Sequence, residues 1–203
     1  MRKNTFAKLM IALALVAACL NTAQAKKRKE TGGAKPAFDK GSKTIGFLIG
    51  FGVDYSYGYG YYGYGGYTTS LLPLGAITYD QGIIANAGPG TVGVGGIIAY
   101  KPSSSSYQGY KDYYNSFIIG ARGTYHLTLL KDKNRKFDPY GGVTIGIRSS
   151  RYSNSYNSTT NTSVSPVAGA FVGAKYNFAT HVGAFAELGY DVSVVRIGIC
   201  VNF

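Results

Sequence analysis

Few residues in this chain could act as nucleophiles, bases or metal ligands. The 203-residue sequence holds two histidines, His126 and His181, and two cysteines, Cys19 and Cys200. Hydrolytic or acyl-transfer chemistry needs an imidazole, a hydroxyl and usually a carboxylate converging on one point. Thr128 follows His126 at a same-face spacing, but the pattern brings no acid near it, so catalysis is not expected. Two histidines on separate segments and a lone cysteine match no ligand spacing, so neither a metal nor another cofactor is expected. The remaining candidates are isolated charges set among small and aliphatic residues: Asp80, Arg122, Arg148, Lys175, Glu187 and Arg196. What they do depends on the elements that carry them.

Those elements read in steps of two. From Thr44, the odd positions Ile45, Phe47, Ile49, Phe51 and Val53 are apolar, while Thr44, Gly46, Leu48, Gly50, Gly52 and Asp54 alternate with them. This is the signature of a strand with one greasy face and one small or polar face. It returns as Val92, Val94, Ile98 and Tyr100, and again as Phe117, Ile119, Ala121, Tyr125 and Leu127. Val143, Ile145 and Ile147 repeat it, as do Val164 to Tyr176, Val182 to Tyr190 and Val195 to Phe203. A weaker strand around Leu72 to Ile84 brings the count to eight; Leu74 and Ile77 fall on opposite faces, and Pro73 suits only its first residues.

The first residues bear on the compartment. Arg2 and Lys3, the apolar run Leu9 to Leu20 and the small-x-small site Ala23-Gln24-Ala25 compose a secretory signal peptide over 1–25. Val16-Ala17-Ala18-Cys19 offers a second cut, at which Cys19 would become a lipidated N-terminus; the Ala-Gln-Ala site lies at the usual distance after the apolar core. After that cut only Cys200 remains, so no internal disulfide is available. The net charge is +12, much of it in KKRKETGGAKPAFDKGSK, residues 26–43, which reads as a basic, flexible, solvated leader rather than a nucleic-acid site. Downstream of the signal no run of about 18 apolar residues exists, which excludes a helical span.

Alternation alone would also describe a soluble sandwich. Three details favour turning the apolar side outward into lipid. The opposite face carries Arg122, Arg148, Lys175, Glu187 and Arg196 among many of the 29 glycines, which suits a crowded interior better than a solvated face. Most segments run about 9–12 residues, the length of a tilted strand crossing a bilayer. Long connections, near 54–71, 101–113 and 150–163, alternate with shorter ones near 85–91, 130–137 and 178–180, as in barrels with long outer loops and short periplasmic turns. Only a closed barrel spans hydrocarbon with strands, because an open edge leaves backbone groups unpaired. The expectation is an all-β, eight-stranded antiparallel up-and-down transmembrane β-barrel over residues 44–203.

In such a barrel the interior fills with side chains, so a diffusion pore is not expected. A turn at Asp191-Val192 sets Tyr190 opposite Ser193 and Glu187 opposite Arg196, an inward ion pair across the last hairpin. Both histidines then lie toward the periplasmic ends of their strands and point inward. The tract VDYSYGYGYYGYGGY continues the outward row through Tyr55, Tyr57, Tyr59 and Tyr61; with Tyr100 and Tyr190 these make an aromatic girdle at the bilayer edge. The Ser/Asn/Tyr-rich stretches from Lys101 and Ser149 also have the composition of adaptable recognition surfaces.

Gly120-Ala121-Arg122-Gly123-Thr124-Tyr125-His126, Asp138-Pro139-Tyr140-Gly141-Gly142 and the ending from Ala186-Glu187-Leu188-Gly189-Tyr190 to Phe203 carry a resemblance. The chain resembles the small outer-membrane β-barrel domains of Gram-negative bacteria, the family of the OmpA transmembrane domain and OmpX-like proteins. The likeness implies an outer-membrane location, outer-membrane lipid as surroundings, and the barrel-insertion machinery as a partner. It implies that Val195, Ile197, Ile199, Val201 and Phe203 form the C-terminal insertion signal. The chain stops at the last strand, so no peptidoglycan-binding domain is expected to follow. The expected role is envelope integrity or surface adhesion by a monomer, with an extracellular ligand or host surface at the loops and no nucleic acid. A narrow pore for a small solute or ion is the alternative, and a lipid-modifying enzyme the third reading.

Overall fold

A computed structural model of the chain describes residues 37–52, 68–71, 73–107, 110–127, 136–154 and 160–203, with no helix among them. The strands are β1 Lys43–Phe51, β2 Thr68–Leu71, β3 Leu74–Ala87, β4 Gly90–Tyr107, β5 Tyr110–Leu127, β6 Phe137–Asn154, β7 Thr160–Asn177, β8 Val182–Gly189 and β9 Val195–Asn202. Every pairing is antiparallel. β1 lies between β3 and β9, and β4 pairs β5 from Gly90 opposite Leu127 to Tyr107 opposite Tyr110, which closes the ring. β2 takes no place of its own; it lies on β4 beyond the end of β3, so the ring has eight staves.

The weak strand is where the register breaks. Continuing β2, in which Leu71 faces Ser103, would put Gly75 opposite Ala99; it faces Tyr100 instead, so the stretch between these two pairings holds one residue more than β4 does, a bulge beside Pro73. Proline has no N–H to give the ladder, and a bulge is where it does least harm. The strand expected around Leu72 to Ile84 is β3, Leu74–Ala87, with the separate short β2 ahead of it. β3 returns through a two-residue turn at Gly88-Pro89, where Gly88 has a φ of 64° that L side chains rarely adopt.

The alternation sorts the two faces. Ile77, Ile145, Ile147, Val172, Leu188 and Ile199 stand exposed on the outside, Ile145 at 69%. Leu48, Leu74, Ala76, Ile97, Ala99, Ile118 and Val167 point inward and cluster with Phe185, Val192 and Cys200. The inner face is therefore not uniformly small or polar: on the β1, β3, β4 and β5 side aliphatic side chains fill it. Glycine lets the strands approach closely where no side chain fits; a Cβ on Gly95 would collide with the Tyr79 carbonyl on β3.

Strand lengths depart from the expected 9–12 residues. β4, β5, β6 and β7 each run 18 residues, whereas β1, β8 and β9 run 9, 8 and 8. At about 3.3 Å per residue, 18 residues reach roughly 60 Å along the strand, well beyond the 9–11 needed to cross a bilayer. Two of the three expected long loops are accordingly strand: only 108–109 separate β4 from β5, and 155–159 separate β6 from β7. Ser, Thr and Tyr suit loops, but Thr and Tyr also favour strands, and an antiparallel ladder once started continues into water. The result is a sheet of β4 to β7, flanked by β2, that rises past the rest of the barrel.

Candidate functional site

The interior is built as an ionic column against the aliphatic cluster. At its centre Glu187 on β8 accepts from Arg122 Nη2 at 2.7 Å and from the Tyr140 hydroxyl at 2.8 Å. Arg196, opposite Glu187 on β9, lies with Nε 2.9 Å from Glu187 Oε2, an ion pair without hydrogen-bond alignment. Arg196 Nη1 donates to Asp191 Oδ1 at 2.7 Å, and the Thr144 hydroxyl donates to Asp191 Oδ2 at 2.6 Å. Phe171 on β7 lies beneath both guanidiniums, 4.0 Å from Arg122 Cζ and 5.2 Å from Arg196 Cζ. Arg196 is 0% exposed, so these contacts operate in low dielectric.

Asp191 and its neighbours are not an exposed turn. Asp191, Val192 and Ser193 are all buried, folded into the mouth between β8 and β9. The register nevertheless keeps Leu188 opposite Val195 and Glu187 opposite Arg196.

Toward the end that holds both barrel termini, a second network surrounds His126. Its Nδ1 lies 2.9 Å from Asp138 Oδ2 and its Nε2 lies 3.0 Å from Asp80 Oδ2. Thr124 donates to Asp80 at 2.9 Å, and Lys175 Nζ sits 3.3 Å from Asp138. The expectation that no acid is near His126 is overturned: Asp138 comes from β6, the direct neighbour of β5, and Asp80 from β3, one strand beyond β4 on the other side. The imidazole is 2% exposed, stacked on Phe38 at 3.7 Å with Tyr140 5.0 Å away. With both nitrogens facing carboxylates and both faces covered, it has no free position from which to take a substrate proton.

Phe38 falls in the stretch expected as a flexible leader over 26–43, and that stretch has an ordered end. Phe38 is 1% exposed; Asp39 and Ser42 bond each other, and Gly41 and Ser42 bond Gly82 on β3. A Cβ on Gly82 would meet the Asp39 carbonyl, so a glycine lets this stopper seat. His126→Ala is expected to cost about 2–3 kcal/mol, since it leaves Asp80 and Asp138 short of a buried hydrogen-bond partner; urea unfolding of the reconstituted barrel reads the loss.

Of the other residues singled out, Arg148 is buried on the inner face of β6. Asp80 is partly buried and Lys175 fully so. His181 is exposed at the rim, not inward, with Nδ1 3.0 Å from the Asn202 carbonyl; it stands in the turn before β8, where alternation has not begun. Tyr100 and Tyr190 are exposed outside, Tyr100 donating to Asn115 at 3.1 Å. Tyr55, Tyr57, Tyr59 and Tyr61 lie outside the described residues. Val195, Ile197, Ile199 and Phe203 are exposed, and Val201 half-buried. Asp138, Asp191 and Phe38 were missed as interior groups. Asp138 alone carried a usable signal, being inward by parity with Thr144 and Arg148.

Inside this column the space lined by Asp80, Arg122, His126, Tyr140, Lys175 and Glu187 amounts to about 30 Å³, roughly the share of one water. Among the described residues, ion-paired side chains fill the rest of this level. A closed up-and-down ring, apolar outside and sealed by ion pairs within, defines a small transmembrane β-barrel.

The chain is similar to the N-terminal β-barrel domain of Pseudomonas aeruginosa OprF, at 14% identity and a TM-score of 0.45 over 81% of this chain and 98% of that one. It is likewise similar to Ail, the attachment invasion locus protein of Yersinia pestis, at 12% identity and a TM-score of 0.46, covering 81% and 99%. A structure of Ail with the heparin analogue sucrose octasulfate gives 13% identity and a TM-score of 0.47 over the same shares. No protein-family model and no curated protein matches the chain.

Proposed function

We propose that the mature chain, released by cleavage after Ala25, is a non-enzymatic outer-membrane protein that supports envelope integrity and meets the cell's surroundings through its protruding sheet. The observation that carries this reading is a sealed barrel bearing a sheet that outruns its membrane band. Among the described residues, β8 covers β7 only from Phe171 to Asn177 and the Tyr190-Asp191 backbone lies against Gly169, so Thr160–Ala168 present an uncovered strand edge above the barrel. Such an edge can add a strand from another chain through main-chain hydrogen bonds. The Ser, Thr, Asn and Tyr side chains around it adapt to varied surfaces. Phe203 and the outward row before it serve insertion in this proposal, and the tyrosines near the rim serve as interfacial anchors.

A photo-crosslinker at Thr162 on intact cells is expected to capture a macromolecule from outside the barrel, whereas one at Ile145 reaches lipid. Adducts at neither Thr162 nor Tyr113 would remove adhesion and leave the envelope role. Discrete conductance steps from purified protein in a planar bilayer would contradict the sealed interior and favour a pore.

A further inference from the structure

We infer that the mouth of the barrel on the long-strand side is a binding site for a tetrahedral oxyanion, a phosphate or sulfate group, with Arg148 as its principal ligand. Arg148 stands opposite Ile118 on β5 and Ser165 on β7, one level above the sealed column. It is 8% exposed, its Nε has no hydrogen-bond partner, and no described residue forms an ion pair with it. The other interior cations have carboxylates: Arg122 has Glu187, Arg196 has Glu187 and Asp191, and Lys175 has Asp138. A buried guanidinium without a counter-charge is costly, so its retention here calls for an anion from outside the barrel wall.

The surroundings suit one. Arg148 lines a cavity of about 680 Å³ together with Arg151, Ser116, Ser150, Ser163 and Ser165. Ser116 and Ser150 already lie Oγ to Oγ at 3.2 Å. Hydroxyls around one guanidinium supply the donors that an oxyanion's several lone pairs require, and the planar fork matches two of its oxygens at once. The carboxylate in the cavity wall, Asp191, is engaged by Arg196 and Thr144 and leaves Arg148 free. The volume exceeds a bare phosphate, so a phosphorylated or sulfated small molecule fits as well. The site stands whether or not the protruding sheet docks against a partner.

The test is calorimetric titration of the folded full-length mature protein in phosphatidylcholine vesicles with inorganic phosphate and with inorganic sulfate, in chloride buffer. Wild type is expected to bind one anion saturably and to unfold at higher urea when phosphate is present. Arg148→Gln should bind at least about tenfold more weakly, with Arg151→Gln changing affinity less. Arg148→Gln should also be no less stable than wild type in phosphate-free buffer, because it removes an unpartnered charge; an arginine that merely braces the wall would give the opposite. Equal binding by wild type and Arg148→Gln, no saturable binding by wild type, or destabilisation of Arg148→Gln without phosphate would overturn the assignment. Repeating the titration in phosphate-free alkyl maltoside micelles identifies the source: about tenfold tighter apparent phosphate affinity than in the vesicles means that a lipid headgroup occupies the site in the bilayer, and unchanged affinity means a water-borne anion does.

Discussion

Arg196→Met is expected to cost about 3–5 kcal/mol of folding stability, the usual consequence of removing one member of a fully buried ionic network. The guanidinium is the junction of the column: it closes on Glu187 at 2.9 Å and Asp191 at 2.7 Å, over the ring of Phe171. Methionine keeps an apolar stem and removes the charge together with its N–H donors. Glu187 keeps Arg122 and Tyr140, but Asp191 keeps only the Thr144 hydroxyl. The double change Arg196→Met with Asp191→Asn should therefore recover part of the loss, because the orphaned carboxylate goes with its partner. Urea unfolding of the barrel in vesicles measures both; a loss below about 1 kcal/mol, the range of exposed pairs, would mean that water reaches the column.

Ile145→Arg is expected to destabilise by about 2–4 kcal/mol, and the same change at Tyr113 by about 0–1 kcal/mol. Both side chains are exposed on the outer face, so in a water-soluble barrel both substitutions would be nearly silent. Ile145 stands midway along β6, opposite Ala121 and Ala168, at the level of the hydrocarbon. Tyr113 stands in the part of β5 that pairs with Ser104 and Ser153, beyond the apolar band. Only a bilayer around the first and water or headgroups around the second separates the two outcomes. Similar small losses at both positions would place neither in lipid.

What the chain discloses about itself follows the reach of its local rules. Period-two alternation from Ile45 onward needs only neighbours, and it carries the strands and their faces. The contact of Glu187 with Arg196 is also local, since a short hairpin fixes its own register. The clamp of His126 between Asp80 and Asp138 is not, because its parts lie on β3, β5 and β6 and meet only when three successive strand pairings set them side by side. Phe38 was hidden by composition: a basic, glycine-containing segment reads as solvated, and one aromatic within it gives no sign of the pocket it fills. Asp191 was hidden by its position, because a residue at a turn is normally read as facing water, whereas this turn folds inward onto Arg196. The long ladders of β4 to β7 were hidden by residues, chiefly Ser, Asn and Tyr, that serve exposed strands and loops alike.

The central claim is that the apolar rows face lipid and the charged rows face a sealed interior. A nitroxide on Ile145→Cys, in a Cys200→Ser background reconstituted in vesicles, tests it most directly through collision with oxygen and with a water-soluble nickel chelate. The expected result is high oxygen and low nickel accessibility, with the reverse order for a nitroxide on Tyr113→Cys. Nickel accessibility at Ile145 as high as at Tyr113 would contradict the inside-out barrel.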